Sequence, residues 1–225
     1  GGLIMAHSDN HGLVLPPALA PLHLVVVPIF KTNEDLDQIL GALQPALDQL
    51  KASKLQIKSD FLWTYELPYK VKIDDDDQKS PWRKFNEWEL KGVPIRIAVG
   101  KRDLEQWQVE LFRRDTIEKK LVKLENLAEE IQTLLLEIQK KMLAKHQLFT
   151  LEHTFTADTY DELKEKVEQG FVLAHWDGTK ETAMKVQEEL KATIRCLPFD
   201  MPEEAWIDPV SGKPSARRVI YAKSY

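Results

Sequence analysis

Cysteine is nearly missing from this 225-residue chain: Cys196 stands alone, which excludes an intrachain disulfide and any cysteine-rich zinc cage built by this chain itself. Glycine is scarce, with nine residues, and there is no internal repeat or low-complexity tract, so a collagenous or disordered chain is excluded. No apolar run approaches the ~18–20 residues that a bilayer span needs. The start Gly1-Gly2-Leu3-Ile4-Met5 lacks the basic leader of a signal peptide. No membrane partner is therefore expected, and the expected compartment is the reducing cytoplasm. Glycine-rich phosphate loops, a nucleophile elbow and the paired-histidine zinc motif are missing too, so nothing marks an autonomous enzyme and no catalytic residue is read. The six histidines are scattered. His7 and His11, the one close pair, lie beside Gly12 and a proline-rich stretch, which is a loop context and not a helical metal site.

What is present is an ordinary globular composition, 43% hydrophobic and 30% charged, enough for a sizeable core in one domain or two. The net charge of -5 argues, taken alone, against nucleic acid. Location counterbalances the sum: from Lys79 to Lys120 the lysines and arginines outnumber the acids, the one locally basic stretch of length. A mixed-charge solvated face is the competing reading of the same stretch.

Residues 1–21 end in Pro16, Pro17 and Pro21, a density that marks a boundary. Leu22 to Ile29 is β-branched and almost continuously apolar, as in a strand covered on both faces. Thr32 or Asn33 caps a helix carrying Leu36, Ile39, Leu40, Leu43 and Leu47, which Pro45 is expected to kink or divide. A short strand follows near Leu55–Ile57. After the Asp74–Asp77 turn, Ser80-Pro81 reads as N-cap and first helical residue, with the helix ending near Gly92. Val93–Val99 and Trp107–Phe112 read as two strands about a turn at Gly100–Asp103. From Ile117 to Met142, Ile117, Leu121, Leu124, Ala128, Ile131, Leu135, Ile138 and Met142 step by fours and threes, predicting one long helix; an intermolecular coiled coil and a helix buried against its own domain are both compatible. Thr159 and Glu162 form a capping box, Phe171–Trp176 is a strand, Thr179–Lys191 is helical and Arg217–Tyr225 is strand-like. The fold class is α/β: a small mixed-sheet domain, a long connecting helix and a second small α/β domain.

The richest chemistry lies in Pro81-Trp82-Arg83-Lys84-Phe85-Asn86-Glu87-Trp88-Glu89-Leu90-Lys91-Gly92-Val93-Pro94-Ile95-Arg96 and Gly100-Lys101-Arg102-Asp103. Aromatic and guanidinium planes stack on unpaired bases, while Arg and Glu read base edges, a toolkit suited to single-stranded RNA. The alternative is that Phe85 and Trp88 are core residues and the charges merely pair at the surface. Cys196, with no companion thiol or neighbouring histidine, reads as a buried structural cysteine.

The run Lys84-Phe85-x-x-Trp88-Glu89-Leu90-Lys91-Gly92-Val93-Pro94-x-Arg96, with Gly100-x-Arg102-Asp103, resembles the anticodon-binding domain of prolyl-tRNA synthetases of the archaeal and eukaryotic type, which some bacteria also use. Gly2-Leu3-Ile4-Met5-x-His7 and Gly12-Leu13-Val14-Leu15-Pro16-Pro17 resemble the end of that family's catalytic domain and its exit linker. Thr193-Ile194-Arg195-Cys196-x-Pro198-Phe199 and Ala222-Lys223-Ser224-Tyr225 resemble its C-terminal domain. The resemblance implies four segments: 1–21, the end of a class II catalytic domain and linker; 22–116, the anticodon-binding domain; 117–150, the connecting helix; 151–225, the C-terminal domain.

The family's class II core, which uses ATP and magnesium, would lie upstream, so this chain alone is expected to be inactive. Its implied partners are proline tRNA, that catalytic domain and, in the parent enzyme, a second copy. Glu89 and Arg96 match positions the family uses to read the guanines of the proline anticodon, with Arg102 and Asp103 on the adjoining turn. Guanine offers N1–H and N2–H donors to a carboxylate and O6 and N7 acceptors to an arginine. Lys84, Lys91, Arg113 and Arg114 are added from charge alone as phosphate contacts. Tyr225 is expected to reach the catalytic domain through its terminal carboxylate. Zinc-binding members use four cysteines; here Cys196 matches the first while later positions carry Asp208 and Ser211, so neither zinc nor any other cofactor is expected in this chain. Trp82 and Lys101 stand where glycine and proline are common. The rival reading is a coiled-coil scaffold without an RNA partner.

Overall fold

The computed structural model describes residues 1–58 and 64–223, which divide into two compact units, Gly1–Ala144 and Lys145–Tyr225. Tyr225, and with it the terminal-carboxylate contact, lies outside the described residues.

The first unit opens with α1 (Gly2–Ala6) and a hairpin of β1 (Ser8–Asp9) and β2 (Gly12–Leu13), then β3 (Leu24–Ile29), α2 (Asn33–Ala52), β4 (Lys54–Lys58), β5 (Thr64–Pro68) and β6 (Val71–Ile73). It continues through α3 (Pro81–Leu90), β7 (Ile95–Gly100), α4 (Lys101–Glu105), β8 (Gln108–Arg113), β9 (Lys119–Lys123), a 3-10 turn and the start of α5 (Leu127–Glu152). Five strands form one mixed sheet in the order β6-β3-β7-β8-β9, parallel across β6, β3 and β7 and antiparallel from β7 to β9. The β-branched run is its centre, Leu24 to Val27 being fully buried.

Strand alternation sends the two faces to different partners. Leu24 and Val26, with Ile95, Ile97, Val99, Val109, Leu111 and Val122, pack under α2 and α5 in the main core. Val25 and Val27 face the other way, against Trp88, Val93 and Phe85. Thus α3 covers the β3–β7 half of the second face. On the same face β8 and β9 carry Glu110 and Phe112 opposite Leu121 and Lys119, and Leu121 is 59% exposed.

The helix signals act as read. Thr32 Oγ1 accepts from Asp35 N–H, and Ser80 Oγ accepts from Arg83 N–H with Pro81 at the first helical position. Pro45 lies inside an undivided α2, because Ile39 and Leu43 before it and Ala46, Leu47 and Leu50 after it are buried in one core. The Gly100–Asp103 turn is instead the start of α4, whose entry is held by Asp103 Oδ2 accepting from Gly100 N–H at 2.8 Å.

The long helix begins ten residues later than its apolar stripe predicts. Ile117 takes φ 60°, and Lys119–Lys123 form β9, so Ile117, Leu121 and Leu124 are not on α5. Leu121 and Val122 alternate as strand residues do, with only Val122 in the core. Within α5 the stripe Leu127, Ala128, Ile131, Leu134, Leu135, Ile138 and Met142 is buried in the first unit's own core. That burial removes the feature on which the coiled-coil scaffold rested.

The second unit holds β10 (Thr154–Thr156), α6 (Tyr160–Lys166), β11 (Phe171–His175), α7 (Lys180–Leu190), β12 (Ala192–Cys196), β13 (Trp206–Ile207), β14 (Pro214–Ser215) and β15 (Arg218–Lys223). Four of these strands form a sheet in the order β10-β11-β15-β12. Thr159 and Glu162 close the expected capping box. The core is Leu163, Val172, Ala174, Val186, Val219 and Tyr221 with their neighbours. Cys196 is exposed, not buried as expected, because it ends the edge strand β12 beyond a register shift at Ile194. Its donor set does not fit zinc. Cys196 faces solvent, and the buried Asp208 has its oxygens on the N–H groups of Asp177, Val210 and Ser211.

Candidate nucleic-acid interface

Glu89 and Arg96 come together where the C-terminal end of α3 passes the beginning of β7. Arg96 Nη2 lies 3.5 Å from Glu89 Oε1, and Nη1 lies 3.6 Å from Glu110 Oε1 on β8. The guanidinium is clamped between two rings, with Cζ 3.7 Å from the centroid of Phe85 and 4.7 Å from that of Phe112. Register explains the clamp: Arg96 pairs with Phe112 across β7 and β8, and Phe85 descends from α3 onto the same face. Burial pulls the Arg96 pKa below the usual guanidinium value, with Glu89 and Glu110 opposing the shift. Its Nε and Nη1 have no hydrogen-bond acceptor among the described residues, since both carboxylates stand at ion-pair distance.

Accessibility separates the pair. The Arg96 side chain is 3% exposed and that of Glu89 is 21% exposed. The carboxylate is thus the group at the surface, with the buried cation 3.5 Å behind it. The phenylalanines on either side of Arg96, and Glu110, did not emerge as a set from sequence reasoning. The signal was available in the two-residue alternation of Glu110 and Phe112, but their pairing opposite Arg96 needs the strand register.

The other nominated residues fall elsewhere. Arg102 is exposed on α4 and has no partner among the described residues, while Asp103 is half-buried and holds the α4 entry. Both lie at the far end of β7 from Arg96, about 13 Å along a strand of this length, so they do not join the Glu89–Arg96 cluster.

Three of the four residues expected at phosphates are buried. Lys84 Nζ donates to the Asp74 backbone carbonyl at 2.9 Å and pairs with its carboxylate at 3.8 Å, while Trp88 Nε1–H donates to the same carboxylate at 2.6 Å. This buried group ties α3 to the loop after β6. Arg113 pairs with Asp115 and Glu137. Arg114 is 1% exposed, donates two hydrogen bonds to Asp9 at 2.8 and 2.5 Å, and donates from Nε to the Glu89 carbonyl at 3.0 Å. Lys84, Arg113 and Arg114 are therefore internal ties and not surface cations, because each found an acidic or carbonyl partner distant in sequence. Lys91 alone remains at the surface, 2.8 Å from Glu87 and over the Trp88 ring. Lys91 and Lys79 together hold the Glu87 pKa down to about 2.

Residues 23–134 match the family profile described as anticodon binding domain, and residues 160–225 match the one described as prolyl-tRNA synthetase, C-terminal. The chain is 51% identical over 227 positions to a proline–tRNA ligase of Cytophaga hutchinsonii. It is 46% identical over 230 positions to that of Phocaeicola vulgatus and 46% over 226 positions to that of Porphyromonas gingivalis. Each alignment takes in 100% of this chain and 43% of the relative, so the chain spans less than half the length of the proteins it matches. These relatives are bacterial, and the archaeal and eukaryotic type read from the motifs is not borne out by them.

Proposed function

We propose that this chain, which carries the anticodon-binding and C-terminal domains of prolyl-tRNA synthetase, is the part of a proline–tRNA ligase that selects proline tRNA by its anticodon. The ligation itself, with ATP and magnesium, belongs to a class II catalytic domain outside these residues. The intact enzyme works as a homodimer in the cytoplasm, with Tyr225 reaching the catalytic domain. Of the division into 1–21, 22–116, 117–150 and 151–225, the boundary at 116 moves: β9 and the buried first part of α5 go with the anticodon-binding domain, and the other boundaries are carried forward as the domain plan.

One observation supports the reading most: a half-buried carboxylate, Glu89, backed at 3.5 Å by a guanidinium clamped between two rings, at the edge of an open sheet face. A guanine presenting N1–H and N2–H to Glu89 meets a fixed acceptor. Because Arg96 is already in place, the site loses little freedom on binding. Arg102 and Asp103 serve a different part of the loop, at the α4 end of the sheet.

Titration of the chain with proline tRNA, and with the same tRNA carrying a changed anticodon guanine, tests the reading. The matched tRNA binds more tightly, and Glu89→Gln removes about 1–3 kcal/mol of that preference. Equal affinity for the two tRNAs would overturn it.

A further inference from the structure

Trp82 has no task in the cluster just described. It is 73% exposed at the second position of α3, whereas Phe85 lies on Arg96 and Trp88 is buried with its indole N–H on Asp74. Seven residues separate Trp82 from Glu89. At about 100° and 1.5 Å per residue the two side chains stand on one stripe of α3, about 10 Å apart along its axis. The same flank sends Phe85 and Glu89 to Arg96, so it borders the half of the sheet that α3 leaves uncovered. There Lys119, Leu121 and Lys123 alternate along β9 on the face that carries Glu110 and Phe112. Among them Leu121 is 59% exposed.

Together these place an aromatic ring on one wall and an exposed apolar side chain on the floor, flanked by Lys119, which pairs with Glu110 at 3.2 Å, and Lys123, whose Nζ donates to the Gln106 carbonyl at 2.8 Å. An exposed ring beside an exposed apolar side chain accepts the flat face of an unpaired base. We propose that Trp82 stacks on an unpaired base of the same anticodon loop, some nucleotides from the guanines read at Glu89. The proposal rests on the reading under Proposed function and adds a second, sequence-tolerant contact to it. Stacking uses the face that every base possesses, so Trp82 adds affinity, whereas Glu89 adds discrimination.

The test titrates the full chain, Trp82→Ala and Trp82→Phe with the anticodon stem-loop of proline tRNA, unaltered and with one changed guanine, at two salt concentrations. Trp82→Ala binds about 5- to 150-fold more weakly, as expected for one lost stacked base. The factor is the same for both RNAs, the salt dependence is unchanged, and Trp82→Phe recovers most of the loss. Unaltered affinity in Trp82→Ala, with the parent chain binding and discriminating, overturns the proposal and leaves the anticodon reading standing. A loss that scales with salt concentration also overturns it, because it would report a phosphate contact. Failure of the parent chain to bind either stem-loop removes the reading and the proposal together.

Discussion

Arg114 joins two distant parts of the chain through one planar group. Its paired donors hold Asp9 in the first hairpin, and its Nε–H holds the carbonyl of Glu89. The residue that carries the proposed reading head is therefore anchored through its backbone as well as through Arg96. Arg114→Ala is expected to destabilise the first unit by about 1–3 kcal/mol, the cost of unpaired polar groups, and to weaken discrimination at Glu89. The Arg114 hydrogen bonds hold the Asp9 carboxyl down to about 2 from an ordinary 3.8. A depressed carboxyl pKa stabilises the fold above its unfolded value and loses that contribution as pH falls through the folded one. Stability should therefore decline between pH 4 and pH 2. Unfolding curves for Asp9→Asn in that window should show a shallower decline than those of the parent chain; an equal slope would assign the acid loss to other carboxylates.

At the scale of elements, the end of α3 and the first hairpin are fitted to each other through two glycines. Gly92 follows the helix at φ 74° with its N–H on the Glu89 carbonyl, and a Cβ there would lie 2.6 Å from Leu13 Cβ. Gly12, at φ 123°, would place a Cβ 2.6 Å from the Leu90 backbone. Left-handed geometry and close approach coincide at Gly92, so Gly92→Ala adds both strain and displacement of the hairpin. A loss of about 1–3 kcal/mol in urea unfolding is expected, with weaker tRNA discrimination because the helix end that presents Glu89 moves. A neutral effect would mean the hairpin is not a support of the site.

Across the whole molecule, charge is more neutralised than the sequence stretch implies. Of the cations from Lys79 to Lys120, Lys79, Lys84, Lys91, Arg96, Lys101, Arg113, Arg114, Lys119 and Lys120 all face carboxylates within 4.0 Å. Arg83 and Arg102 are exposed without such partners among the described residues. With Arg83 and Arg102 the cations of this stretch left without carboxylate partners among the described residues, few phosphates are neutralised unless an ion pair opens. Each such contact to a single strand contributes about 0.7 to the slope of log affinity against log salt, so a slope of about one to three is expected. A much steeper slope in the tRNA titration would show that the ion pairs open on binding and free their lysines for the backbone.

Local chemistry was enough to determine much of this protein. The apolar β3 run, the Ser80-Pro81 and Thr159–Glu162 caps and the end of α3 near Gly92 each depend on neighbours within a few residues, and each is found as read. The resemblance likewise rested on ordered local motifs, and the profiles matching residues 23–134 and 160–225 agree with its two domains, though not with its archaeal and eukaryotic type. Tertiary structure decided what local patterns leave degenerate. Leu121 satisfies a helical stripe as well as a strand, and only pairing with Glu110 makes it β9. Cys196 is apolar enough for a core but ends an edge strand. Lysine and arginine do not reveal by themselves whether they meet phosphate or carboxylate. Lys84, Arg113 and Arg114 turned inward because Asp74, Glu137 and Asp9 approach them through the fold, and burying a cation is favourable only when such partners are in place.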